Sequence, residues 1–96
     1  MTLPAQGSIP KSKDSLVRYH FQVRTDTHVM LTESAELQTI DEARIEAAKR
    51  IGLLLHEHAG KLWTDEYWQM DVTDDQGLIL FVISVQATKS PAVPEK

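Results

Sequence analysis

Two cations, an imidazole and an amide recur at every second position near the start of the chain, and this set is the strongest candidate for a binding surface. The residues are Arg18, His20, Gln22 and Arg24. Apolar residues occupy the positions between them, which is the period of a β-strand with one buried face. The alternation therefore predicts that all four polar side chains share one face of a sheet. Such faces bind nucleic acid when aromatic side chains accompany the basic groups.

The polar face of this strand carries no aromatic side chain of its own. Tyr19 and Phe21 take the inward positions of the same strand, so a stacking platform would have to come from Tyr67 on a neighbouring strand. Without it, a solvated polar face is the better interpretation. Trp63 follows the predicted helix and either covers the end of the core or anchors a partner. The candidate interaction residues are Arg18, His20, Gln22, Arg24, Trp63 and Tyr67.

The four histidines do not match a known metal-binding pattern. His56 and His58 are two residues apart, which on a helix turns their side chains about 200° away from each other. A helical zinc pair needs a spacing of four residues instead. His20 has no Cys, His or Asp partner at a recognisable spacing, and the chain contains no cysteine. We therefore expect structural roles for the histidines, and no metal or other cofactor.

Motifs for covalent or phosphate chemistry are missing from the sequence as well. It contains no cysteine nucleophile, no Gly-x-Ser-x-Gly elbow and no glycine-rich phosphate loop. Asp74 and Asp75 are adjacent carboxylates shortly before Gly77, and this pattern is typical of a solvated hairpin turn. A domain this small also has little interior from which to build a pocket. We expect a protein that is not an enzyme.

Charge is distributed unevenly along the chain. The whole chain has a net charge of −4, whereas residues 16–85 contain six basic and twelve acidic residues, a net charge of −6. Phosphate neutralisation supplies much of the affinity for nucleic acid, so this acidic middle disfavours a nucleic-acid partner. The terminal segments 1–15 and 86–96 are poor in large apolar residues, and we predict that both are disordered.

Length and apolar pattern indicate one small soluble domain at residues 16–85. The chain has 96 residues, of which 42% are apolar. Its longest apolar stretch, 78–85, has eight residues, whereas a membrane-spanning helix needs roughly 20. The start of the chain lacks the pattern of a secretory signal, and without cysteine there is no disulfide framework. We expect a cytoplasmic protein without membrane contact.

Changes of hydrophobic period predict a first hairpin followed by a helix. Strands at 17–24 and 28–32 flank turn-forming residues, and 33–38 is expected to be a connection with a short extended piece at 36–37. Thr39 and Glu42 match a capping box, in which each side chain accepts a hydrogen bond from the other's backbone N–H. The helix is predicted over 40–59.

A loop and a second hairpin complete the predicted domain. Gly60 is expected to cap the helix in a left-handed conformation, and a loop is expected over 61–66. A strand at 67–73 then reaches a turn in which Gly77 takes a positive φ. The outgoing strand 78–85 is apolar on both faces, which suits a central strand or one that something else covers. The order β-β-α-β-β predicts an α+β fold, a small antiparallel sheet with one amphipathic helix on one face.

The last strand is the reason to expect a protein partner. One helix covers one face of a sheet, so one of two apolar sets must meet a tail or another subunit. These sets are Ile79, Phe81, Ile83 and Val85, or Leu78, Leu80 and Val82. The tails hold only scattered apolar residues, so we expect a protein–protein interaction module, most simply a homodimer. The alternative is a nucleic-acid-associated or regulatory module that uses the polar sheet face and the basic tails.

Several segments form a recognisable set when taken together: Val17–Phe21, Glu36–Leu37, Asp41–Arg44 with Ala47, and Trp68–Gly77. In their order and spacing they resemble a bacterial family of small, uncharacterised single-domain proteins, abundant in soil and plant-associated bacteria, and the resemblance covers roughly residues 16–83. Ser34 stands where the family usually has Gly in an acidic turn, and Thr39 stands where it usually has Asp. Both Thr and Asp cap helices. The resemblance implies the fold, and it implies no biochemical activity.

Overall fold

The structure, a computed structural model, describes residues 16–92 as a small sheet with two helices. The elements are β1 (Val17–Arg24), β2 (Val29–Leu37), α1 (Ile40–Glu57), α2 (Ala59–Asp65), β3 (Tyr67–Thr73) and β4 (Ile79–Gln86). All neighbouring strands are antiparallel, in the order β2-β1-β3-β4. The predicted α+β class is confirmed, with a second helix added to the predicted order. The disorder predicted for residues 1–15, and for 93–96 at the end of the predicted tail 86–96, lies outside the described residues.

The first hairpin turns at Thr25, whose side chain organises the turn. The Thr25 hydroxyl accepts hydrogen bonds from the backbone N–H groups of Thr27 and His28, at 3.1 and 3.2 Å. The returning strand β2 then pairs along the whole length of β1. The predicted connection at 33–38 is therefore wrong over most of its length, because full pairing with β1 keeps these residues extended. Ser34 lies in mid-strand opposite His20 and forms no turn.

Helix α1 begins at the predicted cap. The Thr39 hydroxyl accepts from the backbone N–H of Glu42 at 3.1 Å. The reciprocal bond of the capping box differs from the prediction, since the Glu42 carboxylate accepts from the N–H of Gln38, at 2.8 Å. The acidic Asp41 and Glu42 in the first turn also complement the positive end of the helix dipole.

The predicted loop at 61–66 is wrong, because the chain resumes a helix after a break at His58. Gly60 lies inside α2 and does not take a positive φ. The left-handed residue is Glu66, with φ of 68°, and its N–H donates to the carbonyl of Leu62. Leu62 packs against the core, which favours continuing the helix past Gly60.

The second hairpin has the predicted turn. Gly77 takes a φ of 82°, as expected, and its N–H donates to the carbonyl of Asp74 at 3.0 Å. The Asp74 carboxylate accepts from the N–H groups of Gln76 and Leu78 at 2.9 and 3.0 Å. Strand β4 ends at Gln86, one residue beyond the predicted end, and the following Ala87 is buried, with its N–H donating to the Glu66 carbonyl at 3.1 Å.

The core lies between α1 and one face of the sheet. Its largest fully buried side chains are Trp68, Phe21, Met70, Val23 and Val72. They meet a helix stripe of Ala43, Ala47, Ile51 and Leu54. The two small alanines let α1 approach the sheet closely across β1, β2 and β3. Among residues 16–92, no helix is long and apolar enough to cross a membrane.

Candidate functional site

The face of the sheet opposite α1 carries most of the residues that the sequence singled out. Strand alternation places Arg18, His20, Gln22 and Arg24 there, because the residues between them are the buried ones. Tyr67 reaches the same face from β3, the neighbour of β1. We call this surface the polar face. The predicted sharing of one face by the four β1 residues is confirmed.

At one end of the polar face, Arg24 belongs to a hydrogen-bonded network centred on Asp71. The side chain of Asp71 is only 12% exposed, and it accepts from the Arg24 guanidinium at 3.1 Å. Its other oxygen accepts from the Gln69 amide at 2.7 Å. Gln69 in turn accepts from the Tyr67 hydroxyl at 2.5 Å, and Ser84 lies 3.5 Å from that hydroxyl. The phenol end of Tyr67 is thus held within the network.

At the other end, Arg18 and His20 also have acidic neighbours. Arg18 donates to Glu36 on β2 at 2.9 Å. The hydrogen bond with Glu36, and the charges of Glu36 and Asp75, raise the pKa of the Arg18 guanidinium above its ordinary value. The His20 ring lies 2.7 Å from the Asp75 carboxylate, which ties the β3–β4 turn to β1.

These contacts limit what the polar face can bind. Both arginines of β1 interact with carboxylates of the same sheet, so neither presents an unbalanced charge to an anion. Asp75, one of the two adjacent turn carboxylates, already contacts His20, and its neighbour Asp74 caps the turn. Among residues 16–92, no three His, Asp or Glu side chains lie close enough together to hold a metal ion. The face is a cross-strand network whose polar groups mainly satisfy each other.

Trp63 does not join the polar face. It lies on α2 and is 50% exposed, whereas Trp68, three residues beyond the end of that helix, is fully buried. The Trp68 indole N–H donates to Asp65 at 3.1 Å, and this bond ties the end of α2 to β3. Trp63 lies on a helix, where the sequence predicted the loop at 61–66.

One contact beside the core has no counterpart in the sequence-based interpretation. Arg50, which lies outside the buried stripe of α1, sits 4.8 Å from the centre of the Phe21 ring and forms ion pairs with Glu33 and Glu46. Cation–π contacts of this kind stabilise partly buried arginines. The spacing of Glu46 and Arg50, four residues apart on the predicted helix, is a local signal for one ion pair, whereas the contacts with Glu33 and Phe21 depend on how α1 packs on the sheet.

Strand β4 presents the second candidate surface. It is an edge strand of the sheet, and within residues 16–92 no strand pairs with its outer side. The central position suggested for it is therefore wrong. Its residues Phe81, Ile83 and Val85 lie on the α1 side but stay only partly buried, because α1 packs mainly across the other three strands. On and near this edge, large apolar side chains are exposed: Leu78 by 62%, Ile79 by 54% and Val82 by 43%.

Comparison with known protein families matches residues 18–86 to a family described as Domain of unknown function (DUF6894). This range contains all the strands of the sheet except the first residue of β1, and both helices. No curated protein and no solved structure shows significant similarity to the chain. The family match agrees with the resemblance seen in the sequence and covers most of the chain. The chain belongs to the DUF6894 family, a domain of unknown function.

Proposed function

We propose that this domain is a non-catalytic protein–protein interaction module that associates with a second copy of itself. The supporting observation is the apolar edge strand β4: Leu78, Ile79 and Val82 are exposed, and Phe81, Ile83 and Val85 on the α1 side are only partly buried. Several large apolar side chains exposed along one edge of a small domain favour an interaction site there. The module needs no metal and no cofactor.

The polar face supports the alternative, nucleic-acid association, less well. Nucleic-acid binding draws on cations that can exchange counterions for phosphate. Here Arg18 and Arg24 would first have to leave Glu36 and Asp71. The acidic balance of the chain, with a net charge of −4, opposes the approach of a polyanion as well.

Sedimentation velocity of the full chain over a range of concentrations tests the proposal. We expect the weight-average sedimentation coefficient to rise from the monomer value toward the dimer value as the concentration increases. Micromolar association corresponds to about −8 kcal/mol and is resolved easily in this way. A strict monomer up to about 1 mM, where only association weaker than roughly −4 kcal/mol escapes detection, would overturn self-association.

A further inference from the structure

We infer that two copies of the chain join edge to edge through β4, in antiparallel orientation, and that their two four-stranded sheets become one continuous sheet of eight strands. The inference rests on the proposed self-association and adds its surface and geometry. It uses the backbone of Ile79–Gln86 as the contact, with the apolar side chains on either side of that strand completing it.

The two edges of the sheet differ in how they resist pairing. Exposed edge strands usually carry charges, proline or bulges that block the addition of another strand. The edge strand β2 carries two carboxylates, Glu33 and Glu36, and its pairing with β1 is interrupted by a register shift near its start. Strand β4 has eight residues with no charged side chain and no proline. Its one irregularity lies near the first residue, between Val72 and Thr73 of its partner, and leaves the stretch 81–86 regular. The unprotected edge is therefore β4.

The side chains of β4 are compatible with their own copy. In an antiparallel pair that continues the sheet, residues opposite each other point to the same face. Every such register therefore places Phe81, Ile83 and Val85 beside the same set of the second copy, on the side where the two α1 helices lie. This layer is only partly buried in one copy, and the second copy extends it. On the other face, Val82 approaches its own counterpart when the two-fold axis passes near the middle of the strand, the register that this inference adopts.

The acidic turn at one end of β4 disfavours the parallel orientation. Its first end adjoins the turn with Asp74 and Asp75, and its last end leads to Lys89, whose Nζ lies 3.9 Å from a Glu66 carboxylate oxygen. Antiparallel pairing brings the acidic turn of one copy to the Lys89 end of the other. Parallel pairing would place the two acidic turns side by side. A two-fold arrangement also closes after two copies, so it does not propagate into fibres.

Distances between spin labels test this geometry directly. The chain has no cysteine, so single substitutions give single labelling sites. We expect labels at Ser84→Cys, close to the two-fold axis, to lie within about 20 Å of each other across the dimer. Labels at Thr32→Cys, on the opposite edge strand, would be separated by seven strand spacings of about 4.8 Å, or about 34 Å. Pulsed electron paramagnetic resonance measures both distances.

A pair of lysine variants tests the same contact in solution. Val82 and Thr32 are exposed positions in the two edge strands, on the same face of the sheet. We expect Val82→Lys to raise the dissociation constant at least tenfold, because it places two like charges beside the axis. Thr32→Lys, the matched control, should leave the dissociation constant within about twofold. Circular dichroism shows whether each variant stays folded. If Val82→Lys does not fold, Val82→Thr is used in its place.

The possible results separate this inference from the proposed function. A monomer at every concentration removes the proposed self-association and this geometry with it. A dimer in which the Ser84 labels lie far apart, or in which Val82→Lys and Thr32→Lys weaken association equally, leaves self-association standing and overturns pairing through β4. Short Ser84 distances together with selective weakening by Val82→Lys support the inference.

Discussion

Two arginines on the same face of β1 differ in how deeply their carboxylate partners are buried. Arg24 contacts Asp71, whose side chain is 12% exposed, whereas Arg18 contacts the much more exposed Glu36. A buried acceptor that loses its donor suffers the full desolvation penalty, while an exposed pair contributes little to stability. Sequence pattern treats the two positions as equivalent, so only the register of the folded sheet distinguishes them.

We therefore expect Arg24→Met to lower the free energy of unfolding by about 1–3 kcal/mol, because Asp71 keeps only its bond from Gln69. Chemical denaturation measures the change. Arg18→Met is the matched control on the same strand and face, and its effect should be smaller than that of Arg24→Met. Equal losses in the two variants would show that burial of the partner does not set the contribution of these pairs.

The cap of α1 gives a second test at a single residue. The Thr39 hydroxyl accepts from the N–H of Glu42, so Thr39→Ala leaves that donor without its partner in the first turn. We expect a loss of about 1 kcal/mol in the free energy of unfolding. Thr39→Asp keeps an acceptor at the same position and should retain most of the stability. If Thr39→Asp is as unstable as Thr39→Ala, the hydrogen bond does not explain the effect.

Two glycines allow the backbone preferences of a helix and of a turn to be compared. Gly52 lies inside α1 and Gly77 takes a φ of 82° in the β3–β4 turn, and a Cβ atom added to either meets nothing within 4 Å. Packing is therefore equal, and backbone preference decides the effect of an added methyl group.

We expect opposite signs when each of these glycines is replaced by alanine. Gly52→Ala should raise the free energy of unfolding by about 0.5–1 kcal/mol, because glycine loses more backbone entropy in a helix. Gly77→Ala should lower it by about 1–2 kcal/mol, because an L-residue is strained at positive φ. Thermal unfolding of the two variants, beside Gly77→Asn, measures this difference. A stabilising Gly77→Ala would contradict the turn geometry.

Elements with strong local signals were predictable from the sequence, and those that depend on distant partners were not. Alternation identified β1 and β3, and the cap at Thr39 identified the start of α1. The second half of β2 lacks clear periodicity and becomes a strand because β1 offers an edge along its whole length. The pairs on the polar face, such as Arg24 with Asp71, depend on strand order, which alternation alone does not determine.

At the scale of the whole molecule, the sheet is asymmetric in two directions. One face is covered by α1, and on the other face polar side chains of neighbouring strands form ion pairs with each other. One edge carries carboxylates, and the other is an uncharged apolar strand. The first asymmetry accounts for the fold. The second leaves β4 as the part of the described chain that is best suited to contact another protein.

The salt dependence of self-association follows from the same distribution of charge. The proposed contact is an uncharged strand, whereas each whole chain has a net charge of −4. Repulsion between two negative chains weakens as salt shortens the screening length from about 30 Å at 0.01 M to about 3 Å at 1 M. Attraction between the ends of the strands opposes this trend, but exposed ion pairs contribute only about 0–1 kcal/mol each.

We expect the dissociation constant of the dimer to fall several-fold when sodium chloride is raised from about 0.02 to about 0.5 M, since repulsion between the chains is then screened. Sedimentation velocity at fixed protein concentration across the salt series measures this trend. Thr32→Lys, away from the contact, makes the net charge less negative and should flatten the dependence. Association that weakens with salt would instead mean that ion pairs hold the copies together, and the uncharged edge of β4 would not be the contact. Nucleic-acid binding weakens with salt, so the proposed module and its alternative predict opposite salt dependences, each for its own complex.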